Sequence, residues 1–268
     1  MKSNRNIVYI SHGGGPMPLL GDPAHFEMVN TLKHIAAEVG NPSAILVISA
    51  HWEARLATVT SGIAPRIIYD YGGFPEEAYK IQYPAPGEQT LAKGVVNVLR
   101  DNGIDAEQDE QRGFDHGLFV PLSIMYPEAD IPCVQLSLVH GLDPELHIKI
   151  GKALQLLNWD NLLVIGSGFS FHNMRAFFNP NSPDVSKNNI AFDNWLHETL
   201  SDKALPEHAR ENQLAHWIAA PGARYCHPRE EHLMPLHVCY GMATQPSDKA
   251  FKIEIMKIQA SMFYWEIV

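Results

Sequence analysis

Short runs of apolar residues recur along the chain, and glycine or polar residues follow each of them. Unbroken runs of this kind are typical of strands that are covered on both faces, as in a parallel sheet. A strand with one face in water would alternate apolar and polar residues instead. The pattern predicts four buried strands: Ile7–Ile10, Ala44–Ser49, Val134–Leu138 and Leu162–Ile165.

Between these runs, apolar residues recur at the spacing of three to four residues that a helix face requires. The predicted helices are Ala24–Val39, Glu88–Asn102, Pro144–Leu157 and Asn188–Leu200. Asp22 and Pro23 precede the first of them as a cap and a first turn. Strands that alternate with helices predict an α/β domain with a largely parallel sheet. Because the sequence shows no repeat, low-complexity tract or Pro/Ser-rich linker, we predict one domain.

Composition narrows the class of protein. The chain has 268 residues and a formal net charge of −10, which argues against nucleic acid or an anionic membrane as a partner. No apolar run reaches the ~20 residues of a membrane span, and the short apolar stretch after the basic first residues is a poor signal peptide. Its three scattered cysteines offer neither a disulfide framework nor paired thiolates for zinc. We predict a cytoplasmic protein.

Three of the fourteen histidines follow predicted strands. His12 follows the first strand, His51 follows "AILVISA", and His172 follows "LLVIGSGFSF". The carboxyl ends of parallel strands lie at one edge of a sheet, where ligands bind. A single histidine at a strand end is usually a structural hydrogen-bonding residue, but three in the same topological position favour a shared site.

Two further histidines lie in polar segments. In "HPREEHLMPLHV", Pro228 is typical of a helix start, and His232 would lie in the first turns of that helix. His227 and His237 are close by, so spacing alone does not select His232. In "GFDHGLFVP", His116 follows an aspartate that could orient an imidazole or could cap the next turn.

The segment "ISHGGGP" allows two interpretations. Glycines after a strand are typical of a phosphate-binding loop, whereas a histidine in that position favours a metal. The segment has neither the G-x-G-x-x-G spacing nor G-x-x-x-x-G-K-[ST], and the chain also lacks H-E-x-x-H and C-x-x-C. We therefore expect the glycines to let the backbone turn beside His12, without phosphate binding. Separate histidines on a rigid frame suit zinc or non-haem iron.

A long aromatic segment, Ile67–Gly87, interrupts the pattern of strands and helices. Loops of this length in compact domains are often functional, although an ordinary ordered excursion is an equal alternative. Tyr71, Phe74 and Tyr83 could pack against a substrate ring, and each could equally belong to the core.

Seven of these segments, in sequence order, resemble the class III extradiol ring-cleavage dioxygenases of the DOPA 4,5-dioxygenase type. They are "SHGGGP", "SAHWE", "YGGFPEEAYKIQYPAPG", "GFDHGLFVPL", "YPEADIPCVQLSL", "GSGFSFHN" and "REEHLMPLHV". The resemblance implies one catalytic α/β domain over residues 1–268, with a mixed, mostly parallel central sheet flanked by helices on both faces. It also implies one mononuclear divalent metal, Fe²⁺ for dioxygenase activity or Zn²⁺ as bound.

The resemblance also assigns roles to the five histidines. It places the metal ligands at His12, His51 and His232, and the acid/base residue at His172, which in zinc-loaded relatives can approach the metal as a fourth ligand. It places a substrate-pocket histidine at His116. Two features depart from the wider family: the glycine loop lacks the family's usual serine, and a histidine replaces the glutamate that is the usual third ligand. Glu231 is adjacent, but on a helix it would point elsewhere.

The resemblance implies cleavage of a DOPA-like catechol with O₂ to a semialdehyde that hydrates or cyclises. Iron(II) with three protein ligands keeps positions open for both reactants. The main alternative is a zinc hydrolase with the same histidines, because zinc lowers the pKa of a bound water to ~7. A metal-binding protein without enzymatic activity is a third and weaker alternative.

Overall fold

The centre of the protein is a single sheet of eight strands. A computed structural model describes residues 5–267. The strands are β1 (Arg5–Ser11), β2 (Ala44–Ala54), β3 (Ala57–Thr60), β4 (Ala106–Asp109), β5 (Cys133–Val139), β6 (Leu162–Gly168), β7 (Lys249–Ile255) and β8 (Ile258–Ile267). Their order across the sheet is β4-β3-β5-β2-β6-β1-β8-β7.

The middle of the sheet is parallel and its margins are mixed. β5, β2, β6 and β1 pair in parallel, and β3 pairs in parallel with β4. β8 runs antiparallel to both β1 and β7, and β3 touches β5 in antiparallel register. All residues of β1 and β6 are buried, as expected for strands covered on both faces.

Helices cover both faces of this sheet. They are α1 (Phe26–Val39), α2 (Gln89–Asp101), α3 (His116–Met125), α4 (Pro144–Leu154), α5 (Met174–Phe177), α6 (Pro183–Ser201), α7 (Glu207–Ala215), α8 (Ala223–Cys226) and α9 (Met234–Ala243). Successive residues of β6 show the two layers, because strand residues alternate between faces. Gly166 lies against α9 at Pro235 and Cys239, whereas the Ser167 hydroxyl donates to the Gly117 carbonyl oxygen in α3. The predicted fold class, a single α/β domain with a mixed, mostly parallel sheet between helices, is confirmed.

The four predicted strands and four predicted helices all exist, but β2 continues five residues past the predicted end at Ser49, and α6 begins five residues before Asn188. Pro23–His25 forms a short 3₁₀ turn, so the first α-helix begins at Phe26. The segment 67–87 contains one 3₁₀ turn, Glu76–Lys80, and isolated bridges at Ile67 and Gly87, and its remaining residues form no helix or strand.

The predicted helix start at Pro228 is wrong. Residues 228–233 form bends and turns, and α9 begins at Met234. Pro235 takes the first-turn position, where a missing N–H costs nothing. His232 therefore lies in the turn that precedes the helix and not within its first turns.

Within residues 5–267, no helix combines the length and the apolar character that crossing a membrane requires. The cytoplasmic location stays a prediction.

Candidate active site and metal centre

Adjacent parallel strands bring three of the predicted histidines to one edge of the sheet. His12 follows β1, and its N–H extends the ladder to the Gly168 carbonyl oxygen of β6 at 2.9 Å. His51 lies within β2, where the register with β5 shifts between Ile48 and Glu53. Such irregularities redirect side chains and are frequent near active sites. His172 lies four residues beyond β6, in the segment that leads to α5.

The other two histidines reach the same place from helix starts. His116 is the first residue of α3, and His232 lies two residues before α9. The ring centroids of His12, His51 and His232 are 4.9, 5.3 and 4.9 Å apart in pairs. His116 lies 3.8 Å from His51, and His172 stacks on His232 at 3.4 Å. All five predicted side chains therefore form one cluster.

A serine fixes the tautomer of His12. The Nδ1 of His12 lies 3.0 Å from Ser167 Oγ, and the single hydroxyl proton of Ser167 is donated to the Gly117 carbonyl oxygen. Ser167 can then only accept from the ring, so Nδ1 of His12 carries the proton. Its Nε2 presents a lone pair to the centre of the cluster.

Asp70, in the aromatic segment, stands behind two of the rings. Its Oδ1 lies 2.8 Å from Nδ1 of His116 and accepts the His116 backbone N–H at 3.0 Å. Its Oδ2 lies 3.7 Å from Nδ1 of His51. Burial alone would raise the pKa of Asp70, but its contacts with His116 hold it below the usual value. Asp70 is thus ionised and lies outside the cluster, on the side that Nδ1 of His116 and Nδ1 of His51 face.

Glu231 is the carboxylate that contacts the remaining two histidines of the cluster, His172 and His232. Its Oε1 lies 3.0 Å from Nδ1 of His232 and 3.1 Å from Nδ1 of His172. Its other oxygen lies 3.3 Å from Arg229. Burial alone would raise the pKa of Glu231, but the hydrogen bonds from the two imidazoles hold it far below its usual range. The expectation that Glu231 points elsewhere is wrong, because residue 231 lies in a turn and not on a helix.

The imidazoles at the centre are neutral. Burial, with the charge that neighbouring histidines would add, lowers the pKa of His12 and His51 well below the usual value. The same two causes lower the pKa of His232 to about 3. Neutral imidazole is the form that binds metals.

The donor geometry fits a metal ion. The Nε2 atoms of His12 and His51 lie 3.1 Å apart, and both rings direct Nδ1 outward. One ring can donate to the other in its Nε2–H tautomer, and with both Nε2 atoms unprotonated a cation between them would offset the repulsion of the two lone pairs. Two nitrogens bound at ~2.0–2.1 Å to one ion are separated by ~2.9–3.4 Å, which includes the observed distance. Donor atoms of His12, His51 and His116 all lie within 4.8 Å of one another, as do those of His172, Glu231 and His232.

The glycine loop bends around His12. Gly13 has a φ of +84°, which disfavours residues with a side chain, and a Cβ there would lie 2.7 Å from Cδ2 of His25. Nε2 of His25 accepts the Gly14 N–H at 3.0 Å, while Nδ1 of His25 contacts Asp22 at 2.8 Å. The helix that follows begins only at Phe26. The absence of phosphate binding stays a prediction.

The cluster forms the floor of a cavity of about 470 Å³. The walls are the glycine loop and a set of apolar side chains: Met17, Met174, Met256, Phe74, Phe169, Phe177, Phe178 and Tyr71. Two of the three candidate aromatic residues, Tyr71 and Phe74, therefore face the cavity. Tyr83 does not, because its ring is buried in the core and its hydroxyl donates to the Tyr126 carbonyl oxygen at 3.1 Å.

Asp115 orients no imidazole through a hydrogen bond and makes no side-chain cap of α3. Its carboxylate instead accepts from Ser49 at 2.7 Å and from Arg112 at 3.2 Å, and it also contacts Gln135. Asp70 and Ser167 were not predicted from the sequence. The sequence signal for Asp70 is a carboxylate between two tyrosines in an aromatic loop.

Replacing Glu231 by glutamine should weaken metal binding ~10–100-fold, as is typical when the partner of a ligating histidine is changed. The amide lacks the charge that holds two Nδ1–H groups in place. Glu230→Gln is the matched control, because Glu230 pairs with Arg224 and contacts no ring of the cluster. Competition with a chromophoric chelator measures the affinity, and equal affinity for the two variants would contradict this role.

The stability of the metal-free protein should depend on the protonation of a buried histidine next to the site. Burial lowers the pKa of His227 to about 3, against ~6.5 in an unfolded chain. Its contribution to stability is complete above pH ~6.5 and is lost as pH falls from there toward 3, by up to ~1.4 kcal/mol per pH unit. His227→Gln, which can still donate to the Ser170 carbonyl oxygen, should show the shallower slope in denaturant unfolding between pH 5 and 7. Replacing the exposed His34 by Gln should leave the slope unchanged.

Comparison with known proteins places the chain in a family. The family described as the catalytic LigB subunit of aromatic ring-opening dioxygenase matches residues 7–263. The chain is 37% identical to the dioxygenase tasH of Hapsidospora irregularis, over 97% of this chain and 85% of that protein. It is 38% identical to the 4,5-DOPA dioxygenase extradiol of Beta vulgaris, over 92% of this chain and 91% of that protein.

A solved structure has the same fold. The crystal structure of an uncharacterized protein from Escherichia coli K12 superimposes with a TM-score of 0.75 at 25% sequence identity, over 97% of this chain and 99% of that one. The family match and the two relatives each extend over nearly the whole described chain. The chain therefore belongs to the LigB family of aromatic ring-opening dioxygenases and is an extradiol ring-cleavage enzyme.

Proposed function

We propose that the protein is a metal-dependent dioxygenase that opens the ring of a DOPA-like catechol with O₂ to give a semialdehyde. The observation that carries this proposal is the convergence of five histidines at the floor of an apolar cavity with room for an aromatic ring. The family membership and the named dioxygenase relatives support the reaction type.

In this proposal His12, His51 and His232 hold one divalent metal. Their rings lie about equally far from one another, and two of them have Nδ1 tied to Ser167 and Glu231, so that Nε2 faces inward. Iron(II) at this place would supply open positions for catechol and dioxygen and the redox chemistry that zinc lacks. His116 is the alternative third ligand, because its donor atom lies near those of His12 and His51.

His172 moves protons in the proposed reaction. Its Nδ1 lies against Glu231, so the opposite nitrogen, Nε2, is left to face the cavity that the ring lines. Nε2 takes a proton from a catechol hydroxyl as the substrate binds and returns one as the ring opens. The charge of Glu231 stabilises the imidazolium formed between these two steps.

His116 orients the substrate. Asp70 holds its Nδ1, and the ring borders the cavity beside His51. Its Nε2 can accept a hydrogen bond from a catechol hydroxyl. The surrounding phenylalanines and methionines give the cavity apolar walls, and polar contacts beside apolar walls are stronger than in bulk water.

The test begins with elemental analysis of protein purified without chelators. Anaerobic loading with iron(II) follows, and then oxygen uptake and the absorbance of ring-opened product are measured with DOPA and with 4-methylcatechol. We expect one metal per chain and oxygen uptake equal to the product formed. The zinc hydrolase alternative predicts no oxygen uptake and cleavage of an activated ester by the zinc-loaded protein. That result would overturn the proposal.

A further inference from the structure

We propose that the catechol this site prefers carries an uncharged, apolar substituent rather than the zwitterionic side chain of an amino acid. This inference rests on the proposed ring cleavage and specifies its substrate: DOPA itself, as an amino acid, would be a poorer ligand than a catechol with an apolar substituent. It concerns the part of the cavity above the histidines, which would contact the ring substituent and not the two hydroxyls.

The walls of the cavity offer no charged partner to a substituent. Among the described residues that line it, none is Lys, Arg, Asp or Glu. The hydroxyl of Tyr71 is turned away and donates to the Ala78 carbonyl oxygen at 2.7 Å. Apart from the histidines and the glycine backbone, the substituent would meet Met17, Phe74, Phe177 and Met256.

Apolar cavity walls favour apolar ring substituents over charged ones. A carboxylate or ammonium group that leaves water without a partner costs far more than the aromatic ring gains from burial. Each buried methylene group, in contrast, contributes ~0.8 kcal/mol, which is ~4-fold in affinity. Methionine side chains are flexible and polarizable, so they adapt to alkyl and aryl groups of several shapes.

A basic depression beside the cavity is the feature that could oppose this inference. It shares His172 and Met174 with the cavity and contains Arg175 and Arg229. The guanidinium of Arg229 is already paired with both carboxylate oxygens of Glu53 and lies 3.3 Å from Glu231. Arg175 is exposed to water, where an ion pair contributes little. Neither arginine thus supplies the buried partner that a substrate carboxylate would need.

The preference is tested by binding to zinc-loaded protein under nitrogen, because zinc does not support turnover. Calorimetry compares catechol, 4-methylcatechol, 4-propylcatechol, DOPA and 3-(3,4-dihydroxyphenyl)propionate. We expect the dissociation constant to fall ~10-fold or more from 4-methylcatechol to 4-propylcatechol. DOPA and the propionate should bind at least ~10-fold more weakly than 4-propylcatechol.

A positively charged side chain in the cavity wall should reverse the order of the binding affinities. Met17→Lys places an ammonium group in the cavity and should make the propionate bind better than 4-propylcatechol. Leu20→Lys is the matched control, because Leu20 ends the 3₁₀ turn Met17–Leu20 that begins with Met17, is exposed and is outside the lining. It should keep the order of the unchanged protein. Metal content is measured on both variants, so that a loss of metal is not mistaken for a change in preference.

Two failures are distinguishable. If no catechol binds, and iron-loaded protein takes up no oxygen, the proposed function fails. If catechol binds but DOPA binds as tightly as 4-propylcatechol, and Arg175→Met weakens only DOPA, the function stands. In that case the substituent lies in the basic depression, and the inference drawn from the apolar walls is overturned.

Discussion

Replacing His12 by alanine should give a folded protein that retains no stoichiometric metal and cleaves catechols only at the uncatalysed rate. His12 lies beside three other rings of the cluster, with ring centroids of His51, His116 and His232 at 4.9, 5.5 and 5.3 Å. Its Nε2 is the lone pair that Ser167 directs inward. Without His12, the proposed site loses one of its three metal–nitrogen bonds. The remaining imidazoles are then no longer held around one metal.

Metal content after iron(II) loading, oxygen uptake and the far-ultraviolet circular dichroism spectrum check this expectation. His34→Ala is the matched control, since this histidine lies on α1 with 58% of its side chain exposed. It should keep full metal and full activity. A His12→Ala protein that holds one metal per chain would remove His12 from the ligand set.

His172→Ala should keep most of the metal and lose roughly 10²–10⁴-fold in the rate of ring cleavage, the usual contribution of a general acid/base. The side chain stacks on His232 and contacts Glu231 through Nδ1, but in the proposed site it binds no metal. The variant should still bind catechol when zinc-loaded. The loss should therefore appear in kcat rather than in the dissociation constant.

His232→Ala, measured in parallel, separates the two roles. It should lose metal and activity together, whereas His172→Ala loses activity alone. If both variants lose metal equally, His172 is mainly a ligand. If His172→Ala turns over at the rate of the unchanged protein, the proton-transfer role is wrong.

The sequence was most informative where local pattern decides structure. Buried strands are continuous apolar runs, and the residue after each strand lies at a known edge of the sheet. For this reason His12, His51 and His172 could be expected to converge before any coordinates were available. The start of α2 at Glu88 was equally readable, because the Glu88 side chain accepts the Thr90 N–H, whereas Asp22 caps only the 3₁₀ turn that precedes α1.

The sequence was least informative where contacts between residues far apart in the chain determine the structure. Ser167 and His12 are 155 positions apart in the sequence, and no local pattern predicts that they are in contact. The hairpin between β7 and β8 turns at Met256 and Lys257, which both have positive φ without being glycine or asparagine. Glycine or asparagine at these two positions would have indicated a hairpin, and therefore the two strands on either side of it. Because the sequence predicted a helix start at Pro228, Glu231 was expected to point away from the cluster, whereas it contacts His172 and His232.

The sharing of one carboxylate oxygen by two imidazoles makes their mutational effects interdependent. Because Oε1 of Glu231 bonds both His172 and His232, removing either ring frees that oxygen to bond the survivor more strongly. The double variant should therefore differ from the sum of the single ones, and a double-mutant cycle on metal affinity would measure the difference as an interaction energy. Asp70 lies between another pair, with Oδ1 at 2.8 Å from His116 and Oδ2 at 3.7 Å from His51, so no single oxygen is shared there. Residues of this cluster therefore constrain one another in pairs, so that a substitution tolerated in one background is costly in another.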